Sequence, residues 1–302
     1  MELRQLRYFI GASEAGSLLK ASTKLHVAQP ALSQQIASLE QEIGARLFDR
    51  SSRGITLTEA GRVFLEHAKV VLADLDRARS AVRECGSVPR GDVAIGLPTT
   101  VALIATMPIV SACREQFPEV RLKIIEAYSG FLREWLQSGR LDLALMYGDE
   151  PEPGLLKQPL VDDKLVLVSG TSAGRLPRKL SLSSLADRRL VLPGKDHGLR
   201  RIIDEACAPL NLTLSVVAEI ESLARVKRAT EAGIGETILP QGSVAEEVAT
   251  GKLRTAVIDS PAMSRRVVLA TNTSRPDSLA KSAVAALVHD VLRHMVHSGA
   301  WP

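Results

Sequence analysis

The first fifty residues contain three amphipathic segments that are short, closely spaced and sharply ended. Gly16 and Ser17 give a stop for the first segment and an N-cap for the second, which runs from about Leu18 to Leu25. A third segment ends at Gly44 and carries apolar residues at spacings of four, three and four. The apolar sets of the first and third segments are Leu3, Leu6, Phe9 and Ile10, and Leu32, Ile36, Leu39 and Ile43. Three helices therefore fit within one small unit.

The outer face of the third helix, in "HVAQPALSQQIASLE", is neutral and rich in amides. At about 100° per residue, Gln34 points directly away from the apolar stripe. The other residues on or beside that outward arc are Gln29, Pro30, Ser33, Ala37 and Gln41. A solvated helix would more usually carry Lys and Glu there, whereas Gln can pair bidentately with adenine. Pro30 is tolerated in a first turn, whose free N–H groups suit a phosphate.

A polar turn follows in "LFDRSSRGITLT", between two short segments that predict a hairpin. With the helix pair before it, this hairpin predicts a winged helix-turn-helix, in which Arg50 and Arg53 reach DNA from the wing. Lys20 and Lys24, on the second helix, are predicted to bind phosphate. The alternative for both arginines is a solvated loop.

A proline-free stretch from Thr58 to about Val88 predicts one long helix. Its apolar residues repeat at spacings of four and three: Phe64, Ala68, Val71, Leu75, Ala78 and Val82. This heptad pattern favours pairing with the same helix of a second copy. The alternative is packing against the helix's own domain.

After "GSVPRG", which reads as a linker, strand-like runs alternate with helical patterns to the end of the chain. This alternation predicts an α/β fold. The predicted strands are "DVAIGL", "VRLKII", "LDLALMY", "KLVLVS", "RLVLP", "LSVVAEI", "GETILP" and "RVVLAT". Helices are predicted over Ile104 to Gln116, Phe131 to Ser138 and Asp277 to His297. At 302 residues the chain is long enough for two or three compact units.

Several classes of function are not indicated. Cys85, Cys113 and Cys207 form no ligand cluster, so we expect neither a metal site nor a disulfide, and a buried structural role is favoured over an oxidant-sensing thiol. His294 and His297 lack the further ligands that a metal needs. The chain has no nucleophile elbow, phosphate-binding loop or dinucleotide motif, so we expect no catalysis and no cofactor. No apolar run approaches a membrane span, which predicts a cytoplasmic protein, and the net charge of +4 is compatible with a nucleic-acid partner.

The N-terminal sequence "LRQLRYFIGASEAGSLLKASTKLHVAQPALSQQIASLEQEIGARLFDRSSRGITLTEAG" closely resembles the DNA-binding domain of LysR-type transcriptional regulators. The rest resembles the family's effector domain through "GDVAIG", "LDLALMY" and "AGIGETILP". The resemblance implies an N-terminal winged helix-turn-helix, a long linker helix that dimerises, and a two-lobed α/β effector domain like periplasmic binding proteins. The corresponding boundaries are 1–58, 59–88 and 89–302, with lobe I at about 91–162 and 267–302 and lobe II at about 163–266.

The resemblance also assigns residues. Gln29, Pro30, Ser33 and Gln34 would read the major groove, and Arg53 would act in the wing. The family often has serine at the position of Ala28, so a side-chain cap is missing, and arginine is common at the position of Gln34, which shifts the expected preference from guanine towards adenine.

Three segments at predicted strand ends could bind an effector between the lobes. These are "GLPTT" with Thr99 and Thr100, "MYGD" with Tyr147 and Asp149, and "PGKDHGLRR" with His197, Arg200 and Arg201. A small, anionic effector is predicted, and the family resemblance favours Thr100 most. The alternative is that the threonines cap a helix, His197 lies in a loop and the arginines are solvated.

The segments "AQPALSQQ" and "VAEIESLA" most resemble the branch of nitrogen assimilation control proteins, which is thought to act without a small coinducer. The predicted function is a regulator that binds a partly palindromic promoter site as a homodimer or homotetramer, with RNA polymerase as a further candidate partner. The alternative is a small-molecule binding protein of the periplasmic type whose N-terminal helices only mediate protein contacts.

Overall fold

The computed structural model describes residues 1–51, 54–83, 88–171, 174, 176–275 and 277–301, without the side chains at 73, 76, 77 and 80–83. The chain forms two compact units. The first comprises Met1–Ser87 with Ser138–Arg140, and the second Val88–Gln137 with Leu141–Pro302.

The first unit is a helical domain with a two-stranded hairpin. Its elements are α1 (Leu3–Ala15), α2 (Leu18–Leu25), α3 (Gln29–Ile43), β1 (Phe48–Ser51), β2 (Gly54–Leu57) and α4 (Glu59–Arg83). The predicted stops are confirmed, because Gly16 and Gly44 end α1 and α3 in the left-handed conformation and Ser17 caps α2 by accepting from the backbone N–H of Lys20. The predicted hairpin is confirmed as well.

The core of this unit is built around the ring of Phe9, which is fully buried. Its centroid lies 5.1 Å from that of Phe48 on the hairpin and 5.1 Å from that of Phe64 on α4. Leu32, Ile36 and Leu39 bury the stripe of α3 against the same core. One aromatic cluster therefore joins the three short helices, the hairpin and the start of α4.

Two glycines anchor the hairpin. Ile55 N donates to Gly16 O at 3.0 Å, and a Cβ on Gly54, which has φ +128°, would lie 2.5 Å from that same oxygen. Only glycine allows this approach, so the wing is held against the turn between α1 and α2.

The first part of the predicted heptad seam packs within its own domain. Ala68 is buried and Phe64 is half-buried in the core around Phe9, so the expectation that these two residues face another copy is wrong. Val71, at 42% exposed, and the half-buried Leu75 lie further along α4. Val82 is outside the described side chains. The reason is geometric, since a helix that leaves a small domain buries its first turns on that domain.

The second unit is an α/β domain of two lobes. Its helices are α5 (Thr99–Gln116), α6 (Ser129–Gln137), α7 (Gly198–Cys207), α8 (Leu223–Glu231), α9 (Ala245–Ala249) and α10 (Leu279–His297). Its strands are β3 (Gly91–Leu97), β4 (Val120–Glu126), β5 (Leu143–Tyr147), β6 (Leu155–Gly170), β7 (Lys179–Ser181), β8 (Arg189–Leu192), β9 (Ser215–Glu219), β10 (Thr237–Pro240), β11 (Leu253–Asp259) and β12 (Ser264–Asn272).

The main sheet has the order β4-β3-β5-β12-β6-β11-β7, with β10 also paired to β6. β3 is parallel to β4 and β5, whereas β12 is antiparallel to β5 and β6. The first half of β6 pairs with β12 in lobe I, and its second half pairs with β10 and β11 in lobe II. The two lobes therefore share one continuous strand.

Each lobe has its own hydrophobic core. Lobe I buries Ile95, Leu143 and Leu269 against α5 and α10, while lobe II buries Leu167, Leu190 and Ile203. The fold class and all eight predicted strands are confirmed. The sequence did not reveal β7, β11 or the first half of β6. These runs interleave charged residues, and β6 contains Pro159, so their apolar signal is weak.

We expect Gly61→Ala to destabilise the first unit. A Cβ on Gly61, in the first turn of α4, would lie 2.0 Å from the backbone oxygen of Leu47, which cannot move without disturbing the hairpin. The free energy of unfolding should fall by more than about 1 kcal/mol. Urea unfolding of the full chain measures this change.

Gly130→Ala is the matched control, since Gly130 also lies in the first turn of a helix and a Cβ there meets nothing within 4 Å. It should be neutral or stabilise by up to about 1 kcal/mol. Equal effects of the two substitutions would contradict the close approach.

Candidate nucleic-acid interface and ligand cleft

The face of α3 opposite the core is exposed. Leu32, Ile36 and Leu39 are buried, and Gln34 lies on the other side of the helix in contact with solvent. Gln29 and Pro30 are exposed at the helix start, while Ser33 is half-buried. The structure therefore presents an amide-bearing surface at the N-terminal half of α3, the half that enters the groove in helix-turn-helix proteins.

The start of α3 is formed by a short, tight connection from α2. His26 ends α2 with φ 54°, and its N–H bonds back to Ser22 O and Thr23 O. Ala28 then occupies the N-cap position of α3 without a side-chain cap, and Pro30 lies in the first turn. Among the residues that the structure describes, no side chain caps the first turn of α3, which leaves room for an incoming phosphate.

Arg50 connects the hairpin to α3. Its Nη1 donates to Ser33 Oγ at 3.3 Å, and its Nη2 lies 3.7 Å from the carboxylate of Glu40. Glu40 Oε1 also accepts from the backbone N–H groups of Leu47 and Phe48. Arg50, predicted as a wing contact, therefore reaches back to α3, while its side chain stays 46% exposed.

The lysines of α2 differ from each other. Lys20 is exposed and forms no ion pair with any residue that the structure describes. Lys24 is exposed too, but its Nζ lies 3.2 Å from Glu14 Oε2. An exposed pair of this kind is weak and can exchange for a phosphate. Arg53 lies outside the described residues.

In the second unit, the predicted Thr100 lies at the centre of a hydrogen-bonded group. Thr99 and Thr100 begin α5 directly after Pro98, which provides no side-chain cap. Thr100 Oγ1 shares a hydrogen bond of 2.6 Å with the Tyr147 hydroxyl and accepts from Arg265 Nη2 at 2.7 Å. The guanidinium carbon of Arg265 also lies 3.7 Å from the Tyr147 ring centroid.

Arg265 is bound to a buried carboxylate. Its Nε and Nη2 donate to Asp163 Oδ2 at 3.0 and 2.9 Å. Burial raises the pKa of Asp163, and Arg265 opposes that shift by favouring the charged form. Burial also raises the pKa of Tyr147, so its hydroxyl stays protonated.

His197, from lobe II, contacts lobe I through an aromatic pair. Its ring centroid lies 5.7 Å from that of Tyr128 in an edge-to-face arrangement, and its Nδ1 accepts from the N–H of Leu199 at the start of α7. Burial lowers the pKa of His197, Glu221 raises it, and Arg265 lowers it further. The charge of Arg265 thus affects the pKa of His197.

Arg200 is held within lobe II. It is buried, and it donates to Asp204, to the carbonyl of Pro193 and to Glu219. These contacts use the Nε and Nη1 atoms of its guanidinium. Thr100 and Tyr147 thus contact Arg265 directly, and the charge of Arg265 helps to lower the pKa of His197, whereas Arg200 has partners within lobe II.

The remaining predictions concern the cysteines, a metal site and a membrane span. Cys113 and Cys207 are free and buried, and burial raises both pKa values, which lowers thiol reactivity. Among the described residues, no group of three side chains is arranged to hold a metal ion. No described helix is both long enough and apolar enough to span a bilayer.

Two family profiles cover most of the chain. Residues 3–62 match "Bacterial regulatory helix-turn-helix protein, lysR family", and residues 86–293 match "LysR substrate binding domain". The chain belongs to the LysR family of transcriptional regulators. The family resemblance predicted from the sequence is therefore confirmed.

Two relatives of this LysR-family chain are nitrogen assimilation regulatory proteins named nac. The protein of Klebsiella aerogenes is 36% identical over 98% of this chain and 95% of that protein. The protein of Escherichia coli K12 is 33% identical over 99% of this chain and 96% of that protein. A crystal structure of full-length CbnR complexed with its target DNA has a TM-score of 0.74 at 22% identity, covering 97% of this chain and 99% of that chain. The similarity to CbnR, at 22% identity, shows a shared fold.

Two central residues of the cleft, Asp163 and Arg265, were missed in the sequence of this LysR-family chain. Each belongs to a doublet of like charges, Asp162–Asp163 and Arg265–Arg266, beside an apolar strand. The doublets are a signal of cross-strand ion pairing. Which member of each faces inward depends on the register of β6 and β12, which the sequence alone does not reveal.

We expect acid to destabilise the native chain through His197. Because its pKa is lowered from 6.5, the unfolded chain takes up a proton that the folded chain does not, and stability is lost as pH falls below about 6.5. His197→Asn retains a helix-capping side chain and removes the titration. The melting temperature of the variant should therefore fall less between about pH 6.5 and pH 5. Parallel curves for the two proteins would exclude His197 as a source of the pH dependence.

Proposed function

We propose that this chain regulates transcription by binding a partly palindromic promoter site as a homo-oligomer. Two copies would present their α3 helices to successive major grooves. Residues 1–58 would form the DNA-binding domain, 59–88 the dimerising helix and 89–302 the regulatory domain. We further propose that the protein acts in the cytoplasm, has no enzymatic activity and meets RNA polymerase at promoters.

The observation that carries the DNA-binding proposal is the position of Gln34. Its side chain is exposed directly opposite the buried stripe of α3, next to a helix start that lacks a side-chain cap. An exposed amide there can donate to and accept from a base edge. Gln29, Pro30 and Ser33 lie around it, and Arg53 is proposed to act in the minor groove.

The contact from Arg50 bears on how Ser33 would take part. Because Ser33 Oγ accepts from Arg50, its hydroxyl proton remains as the donor. Ser33 would then contact a base or phosphate oxygen that accepts a hydrogen bond. Lys20 and Lys24 are proposed to fix the register by binding phosphates, which supplies affinity without sequence preference.

Support for pairing through α4 comes from its exposed apolar residues. Val63 and Val71 are 56% and 42% exposed, and Leu75 is half-buried within its own chain. A second copy of α4 would cover Val71 and Leu75. We propose this contact for the homodimer and a homotetramer as the complete assembly.

We propose the cleft as the regulatory site, with Thr99, Thr100, Tyr147, His197 and Arg200 as its predicted residues. Support comes from the contacts of Thr100 and Tyr147 with Arg265 and from the effect of the Arg265 charge on the pKa of His197. A guanidinium beside two hydroxyls suits a carboxylate, which favours a small anionic effector. Arg200 has less support, since its contacts are made within lobe II.

DNA binding can be tested with the full chain and a random duplex library. We expect a specific site to be enriched at low salt, and its affinity to fall as salt rises. Gln34→Ala should cost about 1–3 kcal/mol on that site and relax preference at a single base pair. Gel shifts against every single-base variant of the site measure both effects.

Gln41→Ala is the matched control, because Gln41 is exposed on the same face of α3, two turns nearer its C-terminus. It should change affinity little. A uniform loss across all sequences with Gln34→Ala would remove that residue from base reading. Failure of the wild-type chain to bind any duplex at low salt would reject the proposed function in favour of a binding protein with N-terminal helices for protein contacts.

Leu75→Lys should separate copies that pair through α4, because it places a charge in the apolar contact. Light scattering should show the particle mass at least halved, down to 32.5 kDa where α4 makes the only contact between chains. Glu66→Lys is the control, since Glu66 lies on the opposite side of the helix and is exposed. An unchanged mass with Leu75→Lys would exclude the contact.

A further inference from the structure

Asp163 and Arg265 face each other where the sheet passes from one lobe to the other. They are direct partners in the register of β6 and β12, and they are 102 residues apart in sequence. Two residues later, at Leu165, β6 begins to pair with β10, and at Val166 it begins to pair with β11, both in lobe II. The ion pair therefore lies between the lobes, beside the first turn of α5.

The adjacent charged pair behaves differently. Asp162 and Arg266 are also register partners and form an ion pair, but their side chains are 56% and 44% exposed. Those of Asp163 and Arg265 are 2% and 5% exposed. The backbone ladder already holds β6 and β12 together, so the strand pairing does not itself require a buried ion pair.

A buried ion pair is an expensive way to stabilise a fold. Removing both charges from water costs several kcal/mol per ion, and well-packed apolar residues often do as well or better. Both hydrogen bonds from Arg265 to Asp163 go to Oδ2. Oδ1 is buried and makes no hydrogen bond of good geometry among the described residues, and the nearby indole of Trp301 also favours the charged form of the carboxylate. Stability alone is therefore a weak reason for a buried ion pair at this place.

The surroundings of the carboxylate are those of a small-anion site. Arg265 donates two hydrogen bonds to it, and the same guanidinium donates to Thr100 and lies over the ring of Tyr147. Thr100 belongs to the first turn of α5, where the helix dipole favours negative charge. The cationic and hydroxyl groups of an anion site are therefore all present, and the anion bound to Arg265 is the Asp163 carboxylate.

We infer that Asp163 is a built-in carboxylate ligand, occupying the position beside Arg265 and Thr100 that a small monocarboxylate would take in the cleft. The inference rests on the proposed regulatory role of the cleft and narrows it, because Asp163 already binds the guanidinium of Arg265 and a small anionic effector would bind the native chain through other residues of the cleft. The native chain does not bind simple carboxylates at this position. A chain that lacks the Asp163 side chain binds formate or acetate there.

The test is chemical rescue of Asp163→Ala in the full chain. Melting temperatures are measured with increasing sodium formate or acetate, at constant ionic strength set by sodium chloride. We expect a saturable rise of about 2–4 °C for Asp163→Ala and no such rise for the wild-type chain. Asp162→Ala is the matched control, because it removes the neighbouring carboxylate from the surface pair and should behave as the wild type does.

Two further variants locate the response. Asp163→Asn keeps the volume of the side chain, so it should show no saturable response. The double variant Asp163→Ala, Arg265→Met should lose the response of the single variant, because the guanidinium that binds the anion is gone. A response that survives in the double variant would place the carboxylate elsewhere and overturn the inference.

A response of Asp163→Ala equal to that of Asp162→Ala or of the wild type would also overturn it. Should Asp163→Ala not fold in chloride, its refolding yield is compared in formate and in chloride. Recovery in formate alone supports the built-in ligand, and equal failure in both salts contradicts it. These readouts do not involve DNA, so they are separable from the gel shifts that test the proposed function.

Discussion

The antiparallel pairing of β6 with β12 is the constraint on which the regulatory domain depends. β6 runs through both lobes, and β12 returns beside it after the whole of lobe II has been formed. This pairing joins the lobes and sets the register that turns Asp163 and Arg265 inward and Asp162 and Arg266 outward. Because side chains alternate along a strand, a shift of one residue would exchange the two pairs and bury the wrong charges.

The buried pair then organises the cleft. Arg265 has lost most of its contact with water and needs an acceptor, and Asp163, Thr100 and the face of Tyr147 satisfy it together. The same charge contributes to the lowered pKa of His197 in the opposite lobe. A single guanidinium therefore links the start of α5, the end of β5 and the start of α7 by electrostatics and hydrogen bonds, within a site whose low dielectric strengthens each contact.

In the N-terminal unit, α3 has two different faces: one packs on the core and the other is exposed to solvent. Leu32, Ile36 and Leu39 attach α3 to the core around Phe9, and this attachment leaves Gln34 in solvent. The hairpin is held by Gly54 and by the contacts of Glu40, and Arg50 bridges from it to Ser33. The exposed face of α3 is thus held in place by the packing of its opposite face.

Local patterns in the sequence determined much of this protein: the three short helices with their stops, the hairpin, the alternation of strands and helices, and the exposed position of Gln34. These features depend on periodicity and on single residues such as Gly16, Ser17 and Gly44, so neighbours in sequence suffice to predict them. The tertiary structure alone decided that Phe64 and Ala68 pack in the core of their own domain, that Arg200 is held within lobe II, and that Asp163 forms an ion pair with Arg265. Those outcomes depend on strand register and on contacts between residues far apart in sequence, and no local pattern carries that information.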